Sequence, residues 1–244
     1  MSAQFANRVY WVIGATGALG HATVLALAAQ GATVVASSRS VTAALFADVP
    51  GVHSWPLDVR DSAAVDNAAA GILAAFGRLD GLVTSSNVGA FGEFHELPDE
   101  EWYRVLEAKW LGSVRPVRAA LPQLIAAGSG AVVLITGRGG IDPSPQHFIG
   151  SSVNAALDLL VQGLGRRYGP QGVRVNAVAP GPIESPRLQE MQQASVQGAE
   201  PRTPLAGPGT PEHVASAVLY LLSDAASFVN ATRLYVDGGG KRYS

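Results

Sequence analysis

The stretch WVIGATGALG, from Trp11 to Gly20, decides the fold expected for this chain. A short apolar run, Val9–Ile13, leads through Gly14, Gly17 and Gly20 into a segment rich in alanine and leucine. A strand that enters a helix through such a glycine loop lets the backbone approach a pyrophosphate at the helix N-terminus. The spacing therefore predicts a dinucleotide-binding loop. Its predicted contacts are Gly14, Thr16, Gly17, Ala18, Leu19 and Gly20.

Outward from this loop, short apolar and β-branched runs alternate with Ala-rich helical stretches. The predicted strands are Val9–Ile13, Thr33–Ala36, Val52–Leu57, Gly81–Thr84, Ala131–Thr136, Arg174–Val178 and Leu234–Val236. Near-continuous apolar strands separated by helices predict an α/β protein with a parallel sheet covered on both faces. Ligands of such sheets bind beyond the carboxyl ends of the strands, so the residues that follow each strand are the candidates for a site.

Composition narrows the classes of function. The chain has 244 residues, of which 48% are hydrophobic, and we expect one domain over 1–244. A net charge of −2 with 15% charged residues argues against a nucleic-acid partner and favours a small molecule. No apolar run approaches the roughly 18 residues of a membrane span, and no signal peptide is visible, so we expect a cytoplasmic protein without a membrane partner. Because there is no cysteine, disulfides, thiolate nucleophiles and Cys-ligated metals are excluded, and we expect no metal site.

Five motifs taken in order resemble the short-chain dehydrogenase/reductase family over nearly the whole chain. They are WVIGATGALG at Trp11 to Gly20, LDVRD at Leu57 to Asp61, LDGLVTSSN at Leu79 to Asn87, RVNAVAPGPIES at Arg174 to Ser185, and LYVDGG at Leu234 to Gly239. The resemblance implies a doubly wound Rossmann fold with seven parallel strands, an NAD(P)(H)-dependent oxidoreductase, and a homodimer or homotetramer built through long helices near Trp102–Arg118 and Ser152–Tyr168. It also implies a substrate-covering lid at about 182–209, where Gln189, Glu190, Gln192 and Gln193 suggest a short amphipathic helix or a plain surface helix.

The residues after the second and third strands bear on the choice of cofactor. An NAD-preferring protein usually offers a carboxylate to the ribose hydroxyls after its second strand, whereas this chain has Ser37, Ser38 and Arg39. We therefore expect NADP(H) to be favoured over NAD(H), with Arg39 at the 2′-phosphate; the alternative is that Arg39 is a solvated surface charge. By resemblance, Asp58 and Val59 lie near the adenine.

The same resemblance assigns the rest of the cofactor site. Ser86 and Asn87 stand where relatives border the cofactor with an Asn-Asn-Ala-Gly run. The Pro180–Gly181 pair is intact, and Ile183 with Ser185 is similar to the element that meets the nicotinamide carboxamide.

The catalytic positions of the family carry different residues in this chain. Counting back from RVNAVAPG without a gap places the family's serine at Gly137, its tyrosine at Gly150, its lysine at Asn154 and its helix asparagine at Lys109. Lysine and asparagine thus look exchanged. Reduction of a carbonyl leaves an oxyanion that needs a proton. Our hypothesis is that the Lys109 ammonium reaches the space left by Gly150 and Asn154 and donates that proton or stabilises the oxyanion; the alternative is that Lys109 points to solvent.

Other candidates for the catalytic group lie around the start of the helix that is expected to begin at Pro145. If Ser144 caps a helix that begins at Pro145, then His147, Gly150 and Asn154 share one face, and His147 could supply the acid. Thr136 keeps a hydroxyl beside the lost serine position, although it could equally face the core, and Ser151 has a weaker claim. Arg138 and Asp142 could bind a polar substrate, although an aspartate before a proline is also a common turn residue.

Three functions remain open at this point. The first is an NADP(H)-dependent oxidoreductase acting on a small carbonyl or alcohol, with Lys109 as the catalytic group. The second is a dinucleotide-binding protein without turnover. The third is a lyase or isomerase that uses the same pocket with a lysine base.

Overall fold

The computed structural model describes residues 4–186, 188–189, 205 and 207–240. Seven strands of this part of the chain form one sheet in the order β3-β2-β1-β4-β5-β6-β7, and every neighbouring pair is parallel. The strands are β1 (Val9–Ile13), β2 (Thr33–Ser38), β3 (Val52–Pro56), β4 (Gly81–Thr84), β5 (Gly130–Ile135), β6 (Val173–Pro180) and β7 (Arg233–Val236). The predicted doubly wound α/β fold is confirmed.

The strand order reverses beside β1, and this reversal places the site. The chain runs from β1 outward to β2 and β3, and then returns to the other side of β1 to form β4. Tyr10 consequently pairs with Val34 on one side and with Gly81 on the other. The crossovers after β1 and β4 leave the sheet in opposite directions, which opens a crevice at the carboxyl ends of these two strands.

Helices cover both faces of the sheet because the strands are apolar on both sides. One face packs beneath α1 (Ala18–Ala29) and α6 (Pro211–Leu222), which contact each other closely. The other face packs beneath α2 (Ser62–Phe76), α4 (Gly112–Ala126) and α5 (Phe148–Tyr168). A short helix α3 (Asp99–Val105) precedes α4. Each face has its own buried apolar cluster, with Trp11 and Leu134 on the second face and Val12 and Leu221 on the first.

The predicted helix around Trp102–Arg118 is interrupted in the structure. A π-helical segment, Leu106–Leu111, joins α3 to α4 and shifts the hydrogen-bond register of the backbone by one residue. Lys109 lies inside this segment and is only 4% exposed. Such π-helical turns occur mostly where a helix must present a side chain that regular geometry would aim elsewhere.

Candidate functional site

A large cleft, with a volume of about 1720 Å³, lies at the carboxyl ends of the strands. It runs from the glycine loop after β1 to the start of α5. The predicted cofactor contacts other than Gly20, and the candidates Lys109, Thr136, His147 and Asn154, line the wall of this cleft. The weaker candidate Ser151 is buried and does not line it. The clustering of residues from the ends of six strands, β1 to β6, follows from the parallel sheet.

The loop after β1 fits a pyrophosphate. Gly14 has a left-handed backbone with φ of 79°, and a Cβ there would lie 2.7 Å from the carbonyl oxygen of Ser85. Gly17 is the N-cap of α1 and has no side chain to bond the first N–H groups. The first turn of α1, which lies wholly within the described part of the chain, carries no acidic residue. Free N–H donors and the positive end of the helix dipole therefore face the cleft, as phosphate binding requires.

Gly20 has a packing role beneath this loop. A Cβ at Gly20 would lie 2.2 Å from the carbonyl oxygen of Gly14, so only glycine lets α1 approach the loop so closely. Gly20 itself does not line the cleft and supports the loop from behind.

A cluster of hydroxyl groups lies at the end of β2. The Thr16 hydroxyl is 3.1 Å from the Ser38 hydroxyl and 3.2 Å from that of Ser40. Arg39 is exposed beside them on the cleft wall. Ser37, by contrast, is fully buried and accepts a hydrogen bond from the Trp11 indole at 2.9 Å. The side chains left at this point are hydrogen-bond donors and one cation, a set that suits a phosphate.

Asp58 follows β3 and is held by its neighbour Arg60. The Arg60 guanidinium donates to both carboxylate oxygens, with Nη2 at 2.6 Å from Oδ2 and Nε at 3.0 Å from Oδ1. This ion pair holds the pKa of Asp58 below its ordinary value. Val59 packs against Gly112, where a Cβ would come within 2.9 Å of the valine methyl. The carboxylate is therefore ionised and fixed on the cleft wall.

The ends of β4 and β6 complete this half of the cleft. Ser86 and Asn87 line it after β4, and the buried Ser86 hydroxyl has no hydrogen-bond partner among the described residues. After β6, Gly181 packs against Asp237, where a Cβ would lie 2.8 Å from the aspartate Cβ. Pro180, Ile183 and Ser185 also line the cleft, and the Ser185 hydroxyl donates to the Ile183 carbonyl at 3.2 Å.

Lys109 and Asn154 form a buried hydrogen-bonded pair at the other half of the cleft. The Lys109 Nζ donates to the Asn154 Oδ1 at 2.5 Å, and the two residues are 4% and 3% exposed. Lys109 thus points into the protein, so the alternative that its amine faces solvent is wrong. The pair joins the π-helical segment to α5 and lies on the cleft wall.

The glycines at two of the altered positions make room for larger polar groups. A Cβ at Gly137 would lie 2.8 Å from the Asn154 Nδ2, so glycine at 137 leaves the space that the amide fills. A Cβ at Gly150 would lie 2.0 Å from the His147 Nε2, so the imidazole occupies the start of the path that any side chain at 150 would take. The substitutions therefore compensate one another in volume.

The turn after β5 continues this arrangement. Gly139 lies against the Ser151 hydroxyl, and Gly140 lies against the Asp158 carboxylate, each with a hypothetical Cβ at 2.8 Å from the side-chain oxygen. Arg138 and Asp142 pair with each other, with Arg138 Nε 3.5 Å from Asp142 Oδ2. Both line the cleft.

His147 lies just before α5, which corrects the predicted helix start at Pro145. The His147 N–H donates to the Ser144 carbonyl at 3.0 Å, so Pro145 is the second residue of a turn, a position that suits its fixed φ. The helix begins at Phe148, with His147 as its N-cap. The imidazole stacks on Phe91, with ring centroids 4.8 Å apart, and its Nδ1 lies 3.4 Å from the Ser151 hydroxyl.

Thr136 directly follows β5 and is a buried residue at the cleft. It is 6% exposed, and its hydroxyl lies 3.4 Å from the Val178 carbonyl. The same hydroxyl acts on the nearby Asp158 carboxylate and lowers the pKa of that group. Thr136 therefore lies between the cleft wall and the buried Asp158 carboxylate.

Three features of the cleft were missed from the sequence. Ser40 extends the hydroxyl cluster by one residue, and its signal was a hydroxyl directly after Arg39. Arg104 lines the cleft and is held by Glu101 at 2.5 Å and by the Gly89 carbonyl at 2.6 Å, and its signal was the i,i+3 spacing of Glu101 and Arg104. Asp158 is a charged residue one helical turn after Asn154 on a mostly apolar buried face of α5, and its charge on that face was its signal.

Part of the predicted lid can be placed. Gln189 donates its N–H to the Ser185 carbonyl at 3.2 Å, which is helical geometry at the edge of the cleft. Glu190, Gln192 and Gln193 lie outside the described residues. Across the described ranges, no group of three or more His, Asp or Glu side chains could hold a metal ion. No helix in the part of the chain that the structure describes is long and apolar enough to cross a membrane.

A family model and three known proteins that are similar to this chain are named as reductases or dehydrogenases. A family model described as "Enoyl-(Acyl carrier protein) reductase" matches residues 14–241. Cis-4-hydroxycyclohexanecarboxylate dehydrogenase of Sinomonas cyclohexanicum is 35% identical over 249 residues, covering 98% of each chain. The inactive 2-(S)-hydroxypropyl-CoM dehydrogenase 2 of Xanthobacter autotrophicus is 32% identical over 199 residues, covering 78% of this chain and 86% of its own. A solved short-chain type dehydrogenase/reductase from Mycobacterium ulcerans superposes with a TM-score of 0.91 at 26% identity, covering 98% of this chain and 90% of the other.

Proposed function

The chain belongs to the short-chain dehydrogenase/reductase family, whose members related to it are oxidoreductases, and from that membership we propose that it reduces a small carbonyl compound, or oxidises the matching alcohol, with NADP(H). The observation that carries the proposal is the buried Lys109–Asn154 pair on the wall of a cleft whose opposite half fits a dinucleotide. A cation and a phosphate-binding loop thus share one cavity.

The cofactor half is supported by the geometry of the glycine loop. Gly17, an N-cap without a side chain, leaves the first N–H groups of α1 uncapped beside the cleft, and the Ser86 hydroxyl is buried there without a partner among the described residues. These donors suit the phosphates and the ribose of a dinucleotide. The preference for NADP(H) rests on Arg39 beside the hydroxyls of Thr16, Ser38 and Ser40. When bound, the reduced nicotinamide supplies a hydride to the carbonyl carbon of the substrate.

Residues of the chain itself then supply the proton. As the carbonyl carbon gains a hydride, the electron pair of the C=O π bond moves to oxygen, and this oxygen takes a proton from the Lys109 ammonium. The neutral amine is recharged by a proton from solvent. Asn154 holds the amine in place through its Oδ1, because a hydrogen bond to a buried amide fixes the flexible lysine stem. Alcohol oxidation runs the same steps in reverse, with the neutral amine as the base.

His147 is the second candidate for the proton donor. Its imidazole takes the volume above Gly150 and stacks on Phe91, so one ring edge faces the same half of the cleft. Histidine is the side chain whose ordinary titration range lies closest to neutrality, so an imidazolium at this place also suits proton donation. We assign the main role to Lys109 because a buried ammonium both donates a proton and stabilises an oxyanion before the transfer.

A second function is a dinucleotide-binding protein without turnover. The relative named as inactive, which is 32% identical over 199 residues, favours this possibility. The two functions differ in one observable result, since both bind the cofactor and only one consumes it.

The experiment measures binding first and turnover second. NADPH and NADH are titrated separately into the protein and followed by fluorescence. NADPH absorbance is then followed with a panel of aliphatic, aromatic and cyclohexanone-type carbonyls, including a cyclohexanone carboxylate because of the relative from Sinomonas. We expect tighter NADPH than NADH binding and oxidation of NADPH with at least one panel member. Tight NADPH binding with no oxidation across the panel would favour the protein without turnover.

A further inference from the structure

A buried carboxylate lies behind the catalytic pair and is not used by the proposed reaction. Asp158 lies on α5 one helical turn after Asn154, so the two side chains share a face. It is only 5% exposed. An ionised carboxylate in a protein interior is costly unless it is paired with a cation and hydrogen bonds. The burial of the Asp158 carboxylate beside the site therefore needs a physical explanation.

The pairing of Asp158 comes from three elements. Arg233 of β7 donates to the Asp158 Oδ2, and the Tyr235 ring lies 4.9 Å from the Arg233 guanidinium. The Thr136 hydroxyl at the end of β5 lies close by. The backbone of Gly140, on the cleft turn, approaches so closely that a Cβ there would lie 2.8 Å from Oδ2. The carboxylate is thus packed directly beneath the wall of the cleft.

The Lys109 ammonium is hydrogen-bonded to Asn154, one helical turn before Asp158 on the same buried face of α5, and from there it acts on the Asp158 carboxylate through space. Burial raises the pKa of Asp158, and Arg233, Thr136 and Lys109 each act to lower it. Because electrostatic coupling is reciprocal, the carboxylate must favour the charged form of Lys109 as strongly as Lys109 favours the carboxylate. The other charged group on the neighbouring turn, Arg138, is paired with Asp142.

The coupling between Asp158 and Lys109 bears on the charge state that the proposed mechanism requires of Lys109. A lysine that is 4% exposed loses hydration, and burial alone can lower a lysine pKa by up to about 3–5 units. A proton donor that had lost its proton at neutral pH could not serve carbonyl reduction. We propose that Asp158 is a positioning residue that keeps the Lys109 ammonium charged and held against Asn154. Arg233 opposes this effect, since it is a second cation that competes for the same carboxylate.

The inference rests on the proposed role of Lys109, but its test needs neither substrate nor turnover. The chain contains two lysines, Lys109 and Lys241. Protein labelled with ¹³C at lysine Cε therefore gives two signals, and Lys241→Arg assigns them. The titration of Lys109 is then followed by NMR in the cofactor-free protein, as wild type and as variants.

Two substitutions have opposite expected signs. Asp158→Asn removes the attracting charge and lowers the Lys109 pKa by about 1–3 units. Arg233→Gln removes the competing cation while keeping a hydrogen-bond donor, and it raises the Lys109 pKa. Asp158→Glu keeps the charge and restores most of the wild-type value. Asp48→Asn removes an exposed carboxylate elsewhere and leaves Lys109 unchanged. A purely structural role of Asp158 would not produce shifts of opposite sign.

The outcomes separate this inference from the proposed function. Equal Lys109 pKa values in wild type and in either Asp158→Asn or Arg233→Gln overturn the inference, and Arg233→Gln decides alone if Asp158→Asn does not fold. If the enzyme turns over, the alkaline limb of the pH–kcat/KM profile for reduction moves to lower pH in Asp158→Asn by the same amount as the Lys109 pKa. Opposite shifts in an enzyme without turnover would support the coupling and refute the oxidoreductase assignment.

Discussion

Replacing Arg39 by alanine should weaken NADPH binding and leave NADH binding nearly unchanged. Arg39 follows β2 on the cleft wall, beside hydroxyls of Thr16 and Ser38 that are 3.1 Å apart. NADPH differs from NADH by one phosphate on the adenosine ribose, so the difference between the two affinities isolates this corner of the cleft.

The magnitude follows from the exposure of Arg39. A charge-assisted hydrogen bond contributes about 1.5–3 kcal/mol, and we take the lower part of that range because Arg39 is solvent-exposed and screened. About 1.5–2 kcal/mol corresponds to a roughly 10- to 30-fold larger Kd for NADPH. Arg60 cannot easily replace Arg39, because it is already bound to both oxygens of Asp58. The hydroxyl cluster remains in the variant and keeps part of the preference.

The assay is a fluorescence titration of both dinucleotides at two salt concentrations. The Kd of NADPH should rise in Arg39→Ala and depend less on salt than in wild type, because one phosphate-binding cation is missing. Arg166→Ala, which removes an exposed cation near the end of α5, serves as the matched control and should change neither Kd. Equal changes for NADPH and NADH, or none for either, would refute the assignment of Arg39 to the phosphate.

The remaining predictions concern packing and pH. Gly20→Ala places a Cβ 2.2 Å from the Gly14 carbonyl oxygen, so it should cost about 1–3 kcal/mol in unfolding free energy and weaken dinucleotide binding; an unchanged thermal midpoint would contradict this. Gly150→Ala should force the His147 ring out of its place, because the new Cβ would lie 2.0 Å from its Nε2, while alanine raises the helix propensity of α5 by up to about 1 kcal/mol; a crystal structure of the variant with the ring unmoved would contradict the packing argument. Burial raises the pKa of Tyr10 to about 12, so its contribution to stability is fully present below its ordinary value and is lost as the pH rises from there toward the folded value. Tyr10→Phe should remove up to about 3 kcal/mol of this alkaline loss in denaturant titrations, and identical pH profiles for the two proteins would contradict it.

The sheet and the cofactor half were accessible from the sequence because their signals are local. Short apolar runs located every strand of the observed sheet, with ends that lie within two residues of the observed ones. The glycine spacing after β1 located the phosphate loop, because glycine is needed where the backbone of the loop packs too closely for a Cβ. The strands β2 and β6 run further than expected, since Ser38 and Pro180 still pair with neighbouring strands.

The catalytic half depends on contacts between distant segments, and this limited prediction. The exchange of lysine and asparagine suggested that Lys109 and Asn154 meet, but the π-helical segment that aims Lys109 inward has no local signature. The turn at Ser144 overrode the expected helix start, because Pro145 suits the second position of a turn as well as the first turn of a helix.

The glycines of the turn after β5, together with Gly150 in α5, show the same limit. Gly137 and Gly150 looked like lost functional groups, whereas in the structure they are spaces filled by Asn154 and His147. Only the packing of the turn after β5 against α5 reveals this complementarity, since the paired residues are as far as 18 positions apart along the chain for Gly140 and Asp158.

The decisive measurement compares kcat/KM for carbonyl reduction in Lys109→Met and His147→Gln with wild type, using NADPH and the best substrate of the panel, alongside the Kd of NADPH for each protein. A proton donor contributes about 10²- to 10⁴-fold to a rate. We predict a loss of that size in Lys109→Met with an NADPH Kd close to wild type, and a much smaller loss in His147→Gln. A Lys109→Met protein that binds NADPH and reduces the substrate at the wild-type rate would contradict the proposal that the relocated amine supplies the proton.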